Sequence, residues 1–257
     1  MKNEKINTFK HPLIDTFKID SRIFAFAQTL FPHFWRYFPI AMKYKNILFD
    51  FDGTLADTRQ GIIRTVQGTL QQMGLPPADP VAVSATIGLP LTECFRLATP
   101  TPEERTEEAA AIYRNIFPAL ALEHITIFPH VLETLRQLEQ LGVVMAIVSS
   151  RHHISLDPLV QQLGVERYIP LSRVYGEDEG LKPKPAPDLA LKVLHDLSLA
   201  AEETLVVGDT VYDLQMGAAA GCHTCGVTYG NQTHTQLLTA KPTHLVDSFE
   251  KISALIS

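Results

Sequence analysis

Ile47-Leu48-Phe49-Asp50-Phe51-Asp52-Gly53-Thr54 is an apolar run that ends in two carboxylates spaced i and i+2, then a glycine and a hydroxyl. A parallel strand buried on both faces reads as such a continuous apolar run. Ligand sites of open α/β sheets lie just beyond the carboxyl ends of their strands. Asp50 and Asp52 are therefore expected side by side at the mouth of a sheet. Adjacent carboxylates repel unless a cation or a shared proton relieves them, so this stretch calls for a divalent metal.

The rest of the chain agrees with a strand placed there. From Lys43 onward, strand-like and helix-like segments alternate, which implies a parallel sheet with right-handed crossovers. Asp57 and Thr58 offer N-cap side chains for a helix to about Met73, which Gly74 and Pro76-Pro77 end. Pro102-Glu103-Glu104 opens another helix, with acidic residues in its first turn. Residues 57–127 thus read as a mostly helical insert. Val131, Leu132, Leu135, Leu138 and Leu141 recur at helical spacing before Gly142. Strands are expected at Val143 to Val148 and Thr204 to Val207, and helices to about Leu163 and from Asp188 to about Leu197.

Bulk composition bounds the function. The chain has 257 residues, 46% hydrophobic and 19% charged, with net charge -6. That length suits one large domain or two modest ones. The acidic balance gives no footprint for nucleic acid, although a local cluster of cations can still hold a phosphate monoester. Three cysteines, Cys94, Cys222 and Cys225, do not make a disulfide framework and fit a reducing cytoplasm. Cys222-His223-Thr224-Cys225 has redox or metal spacing, but it continues into Gly226-Val227-Thr228-Tyr229, a strand pattern, and reads as small core residues.

Residues 1–41 stand apart. Phe24, Phe26, Phe31, Phe34, Trp35, Tyr37 and Phe38 crowd one short stretch, interrupted by Pro32, His33, Arg36 and Pro39. The interruptions argue against a membrane span, and acidic Asp15 and Asp20 argue against a signal peptide. The segment either docks on the catalytic domain, or lies on a membrane surface through residues 24–40, or precedes a natural start at Met42. The last reading is the one expected.

Four segments together carry a family resemblance. Asp50-Phe51-Asp52-Gly53-Thr54-Leu55-Ala56-Asp57-Thr58 resembles the first motif of the haloacid dehalogenase-like superfamily in its phosphatase branch. Met145-Ala146-Ile147-Val148-Ser149-Ser150-Arg151 resembles the second, Lys182-Pro183-Lys184-Pro185 the third, and Val206-Val207-Gly208-Asp209-Thr210-Val211-Tyr212-Asp213 the fourth. They occur in the family's order, and the resemblance covers about residues 43 to 255. The resemblance implies a Rossmann-like parallel sheet core, residues 42–56 and 128–257, with a helical cap domain at 57–127 over the active site. Phosphoglycolate phosphatase-like members are the most similar branch.

The resemblance implies roles. Asp50 is the expected nucleophile, since a carboxylate that attacks phosphorus splits a hard hydrolysis into two easier steps. Asp52 is the expected general acid and base; the halide-removing branch lacks a carboxylate there. Gly53 permits close backbone approach and Thr54 supports the loop. Ser149 would present its hydroxyl and N–H to the phosphoryl group, beside Ser150. Arg151 would grip an anion bidentately or be a surface charge. Phosphoryl transfer needs a fixed cation, and family spacing points to Lys182, with Lys184 as competitor. Asp209 would complete a metal site with Asp50 and the backbone carbonyl of Asp52, and Asp213 would support it. Oxygen donors alone favour Mg²⁺. In the cap, Ile87-Gly88-Leu89-Pro90-Leu91-Thr92 resembles the loop that reaches the active site, while Arg59 and Arg64 would read a second anionic group or be exposed.

The expected function is a Mg²⁺-dependent, cytoplasmic phosphatase of a small phosphorylated metabolite, phosphoglycolate-like, with no nucleic-acid partner. Sugar phosphomutase is the runner-up, weakened because Arg59 to Val66 lacks the histidine such members carry. A pyrophosphatase or a non-catalytic binding protein would share the same fold. The complete set Asp50, Asp52, Lys182 and Asp209 favours catalysis over mere binding.

Overall fold

The computed structural model describes residues 42–177 and 180–256. The readings placed on residues 1–41 lie outside the described residues. In chain order, β1 (Asn46–Phe49) is followed by β2 (Ala56–Asp57), then α1 (Arg59–Gln72), α2 (Pro80–Ala85), α3 (Leu91–Ala98), α4 (Thr106–Ala121) and β3 (Thr126–Ile127). There follow α5 (Val131–Gln140), β4 (Val144–His152), α6 (His153–Gln162), β5 (Val174–Glu177), α7 (Asp188–Asp196), β6 (Thr204–Gly208), α8 (Val211–Ala219), β7 (His223–Val227), α9 (His234–Leu238) and β8 (His244–Val246). A 3₁₀ turn, Phe249–Leu255, closes the description.

Six strands form one sheet in the order β5-β4-β1-β6-β7-β8, and every pairing is parallel. Successive residues of a strand point to opposite faces, and β1 shows the result. Ile47 and Phe49 join a core with Leu135 and Leu138 of α5 and Leu156 and Leu159 of α6. Leu48 joins a second core with Ala190 and Val193 of α7 and Met216 of α8. Helices therefore cover both faces, which is why β1 reads as an unbroken apolar run.

The helical insert hangs from a narrow base. β2 and β3 pair antiparallel, Ala56 opposite Ile127 and Asp57 opposite Thr126. Above them α1 packs against α4, where a Cβ at Gly61 would stand only 3.1 Å from Ala121. Phe95, Tyr113 and Phe117 fill the interior of this insert.

Local differences from the sequence reading have physical reasons. The helix expected to open at Pro102 begins as a 3₁₀ turn, Glu103–Arg105, and becomes α-helical only at Thr106. Thr58 is the N-cap of α1, yet its side chain makes no cap bond; Asp57 Oδ1 instead accepts the Arg59 N–H at 3.3 Å. β4 runs past the expected end at Val148 to His152 because it keeps pairing with β5. The three cysteines are free, Cys94 and Cys225 buried; burial pushes the Cys225 thiol up to about 12. Among the described residues no helix is long and apolar enough to cross a membrane.

Phe49 is fully buried and its ring lies 5.5 Å from that of Phe249. Phe49→Ala should cost about 3–5 kcal/mol through lost burial and the cavity left behind. Chemical denaturation should show this as a lower midpoint at unchanged slope.

Candidate active site

Three neighbouring strands deliver their carboxyl ends to one point. Phe49 is in register with Ile147 of β4 and Val207 of β6. Asp50 leaves β1, Ser149 lies in β4, and Asp209 follows β6, so the sheet itself brings them together. Asp213, in the first turn of α8, completes a group in which oxygens of Asp50, Asp209 and Asp213 all lie within 4.8 Å of one another. All three residues are buried.

The lysine that the structure places against Asp50 is Lys184, where Lys182 is the residue expected from the family spacing. Lys184 Nζ donates to Asp50 Oδ1 at 2.7 Å, Asp213 Oδ1 at 2.6 Å and the Val148 carbonyl at 2.9 Å, and the residue is only 3% exposed. Lys182 is exposed, and its backbone N–H donates to Asp188 Oδ2 at 3.1 Å. Lys182 and Lys184 each precede a Pro-x-Pro, and the second register, Lys184-Pro185-Ala186-Pro187, is the one whose lysine turns inward. Burial opposes charge on Lys184, but Asp213 and Asp50 outweigh it and hold the ammonium protonated.

One ammonium is too little for three buried carboxylates. Burial, reinforced by Asp213, pushes Asp50 well above the usual carboxylate range although Lys184 opposes the shift. Burial likewise raises Asp209 to about 7, again helped by Asp213, while two hydrogen bonds from Asn231 hold it back. Surplus negative charge and hard oxygen donors together fit a divalent cation, which Asp50, Asp209 and Asp213 could hold with the carbonyl of Asp52.

Two glycine-loop features shape this site. Gly53 has φ +93°, and a Cβ there would overlap Asp209 and Asn231, so only glycine fits. Thr54 Oγ1 donates to Asp209 Oδ1 at 3.3 Å. Asn231, in the loop after β7, is absent from the sequence reading. Its backbone N–H and side-chain amide donate to Asp209 Oδ2 at 2.6 and 2.9 Å, and the amide also reaches the Asp52 carbonyl at 3.4 Å. A polar Gly230-Asn231 directly after a strand of this sheet was the available signal. Arg59 fixes the same loop, donating to Asn231 Oδ1 at 3.2 Å and the Gly230 carbonyl at 2.8 Å. Arg64 is exposed on α1.

On the cap side, Asp52 is held by Arg151. The guanidinium donates to both carboxylate oxygens, at 2.6 and 3.0 Å. It lies 4.5 Å from the centre of the Phe117 ring and faces the Tyr113 hydroxyl. Its side chain is 7% exposed, so it is not a surface charge. Ser150 points to the cap loop, its Oγ donating to the Gly88 carbonyl at 2.9 Å, while Ser149 Oγ accepts the Arg151 N–H at 3.1 Å and lines the cavity with Asp50. Between core and cap lies a cavity of about 80 Å³ lined by Asp50, Asp52, Ser149, Arg151, Gly88 and Tyr113 among others. Arg59 and Arg64 do not line it.

The pattern and the geometry have relatives. Residues 47–227 match the family model described as haloacid dehalogenase-like hydrolase. The chain is 37% identical over 210 residues to the probable phosphatase IndB of Dickeya dadantii, covering 80% of this chain and 90% of the relative. It is 31% identical over 204 residues to a 5'-nucleotidase of Pseudomonas aeruginosa, covering 79% and 91%. It is 32% identical over 217 residues to the phosphoglycolate phosphatase of Pectobacterium atrosepticum, covering 82% and 92%. The chain belongs to the haloacid dehalogenase-like hydrolase family.

Two expectations follow from the buried acids. Asn231→Ala should weaken divalent-cation binding about tenfold or more, as loss of an outer hydrogen-bond partner does elsewhere; calorimetric titration with MgCl₂ checks it. Asp209 has its folded pKa raised from 3.8 to about 7, so its contribution to stability is present at low pH and is lost as pH rises through that window. Melting in chelator should therefore fall between pH 5 and 8, and Mg²⁺ should raise the midpoint more at pH 8 than at pH 5.

Proposed function

We propose that this phosphoric monoester hydrolase is a Mg²⁺-dependent phosphatase that acts on a small phosphate monoester through an aspartyl-phosphate at Asp50. The observation that carries the reading is the placement of Asp50, buried within 2.7 Å of Lys184 and facing the same cavity as Asp52. A nucleophilic carboxylate, a fixed cation and a second carboxylate at the leaving-group side are what two-step phosphoryl transfer requires.

The steps assign themselves to residues. An Asp50 oxygen attacks phosphorus as the bond from phosphorus to the alcohol oxygen breaks. Asp52 donates its proton to the departing alkoxide; because Arg151 faces both of its oxygens, one must turn toward the alcohol for this. Water then attacks phosphorus, Asp52 takes the water's proton, and inorganic phosphate and free Asp50 result. Lys184 offsets charge on Asp50 and on the transferring oxygens throughout, and the Ser149 hydroxyl and N–H orient the group. Mg²⁺, held by Asp50, Asp209, the Asp52 carbonyl and Asp213, would neutralise the phosphoryl oxygens. The names of the relatives, phosphoglycolate phosphatase and 5'-nucleotidase, support a small phosphorylated metabolite and leave its alcohol open.

The test is phosphate release from a panel of small monoesters and pyrophosphate, with and without Mg²⁺. Asp50→Asn should abolish turnover, and near-normal turnover in that variant would overturn the mechanism. Lys184→Met should lower kcat about 100-fold or more, as removal of a transition-state charge partner does, while Lys182→Met should lose far less. The reverse order would return the role to Lys182.

A further inference from the structure

We infer that the enzyme selects phosphate esters of uncharged alcohols, such as sugars or nucleosides, over esters whose leaving group carries a carboxylate. The inference rests on the phosphatase reading above and names the substrate class for it.

The leaving group must occupy the cavity between core and cap. Its cap wall is mainly apolar, built from Ile62, Ile87, Leu89, Leu91 and Cys94, with Thr86, Tyr113 and Arg114 beside them. Beyond it the cavity joins a wider cleft of about 730 Å³, the two sharing Ser149, Ser150, His152, Arg114 and Glu177. An alcohol larger than two carbons thus has room to extend outward.

Among the described residues, the cations nearest the reacting groups are already engaged. Lys184 sits between Asp50 and Asp213 and serves the phosphoryl end. Arg151 is bidentate to Asp52. Arg114, reaching across from α4, pairs with Glu177 at the end of β5, 3.3 Å away. The His152 Nδ1 accepts the Ile154 N–H at 3.2 Å, so that nitrogen is engaged within the chain. The outer cleft adds Glu93 and Glu107 to the acidic side and Lys182 to the basic side. A carboxylate on a short leaving group would stand near Asp52 and Glu177, and within this cavity it would gain a cation only by displacing one of them; Lys182 lines only the outer cleft. Breaking the Arg151–Asp52 pair leaves a carboxylate uncompensated in a nearly dry site, the more exposed Arg114–Glu177 pair resists less, and a like charge beside either carboxylate adds repulsion. A hydroxyl incurs neither cost.

A matched pair of substrates isolates the charge. Phosphoglycolate and 2-hydroxyethyl phosphate differ only in a carboxylate where the other has CH₂OH, and p-nitrophenyl phosphate serves as reference for the chemistry. With Mg²⁺, kcat/KM should be about tenfold or more higher for 2-hydroxyethyl phosphate, the size of discrimination a single pocket feature gives. If either two-carbon ester turns over too slowly, its inhibition constant against p-nitrophenyl phosphate gives the same ranking. Glu177→Gln, which releases Arg114, should shift the ratio severalfold toward phosphoglycolate. Equal or better use of phosphoglycolate by the unaltered enzyme, or a ratio unmoved in Glu177→Gln, overturns the selection proposed while p-nitrophenyl phosphate turnover keeps the phosphatase reading. No turnover of any of the three esters overturns both.

Discussion

Three carboxylates crowded within 4.8 Å and removed from water cannot all keep their charge on one lysine. That imbalance organises the whole chemical end of the molecule. It accounts for Lys184 being buried and triply bonded, for the upward drift of Asp50 and Asp209, and for the fit of a doubly charged ion among oxygen donors. It also explains the supporting contacts. Asn231 and Thr54 each donate to Asp209, and the Thr210 hydroxyl and N–H donate to Asp213 Oδ2 at 2.6 and 3.1 Å. Each donor leaves one carboxylate oxygen with a fixed direction, so the cluster has a defined shape before any ligand arrives.

The cap is joined to this cluster by side chains rather than by the backbone alone. Arg151 grips Asp52 with one side of its guanidinium and lies against Phe117 of α4 with its face. Ser150 holds the Gly88 carbonyl, and Arg59 at the start of α1 holds the loop that carries Asn231. Displacement of the cap would therefore disturb Asp52 and the neighbours of the buried carboxylate cluster together.

How much of this is legible in the chain depends on sequence distance. Asp50, Asp52 and Asp209 can be read because each belongs to a short local pattern at the end of an apolar strand. The same holds for β1, β4 and β6, whose residues are buried on both faces. Lys184 is hard to tell from Lys182 because two Pro-x-Pro registers overlap, and only packing shows which lysine turns inward. Asn231 bonds Asp52 from 179 positions away, and Arg114 meets Glu177 across 63; no local pattern carries such pairs. Arg151 reads equally as ligand or surface charge, because its real partner, Asp52, stands 99 positions earlier. β5 (Val174-Tyr175-Gly176-Glu177) and β8 (His244-Leu245-Val246) are as short as β1 or shorter but lack an apolar run ending in a recognisable local pattern.

The ribbon of β2 and β3 has a further meaning. The insert of residues 58–125 leaves and re-enters the core at adjacent points, since Asp57 and Thr126 face each other across one antiparallel pair. A segment whose two ends meet can be exchanged for another of different length without rethreading the sheet or moving the strands that hold the acids. The sheet that carries the acids and the insert are thus threaded separately, and are joined in space by the contacts of Arg59, Gly88 and Phe117. The interior of the insert can therefore vary while the strand ends that carry Asp50, Ser149 and Asp209 keep their register.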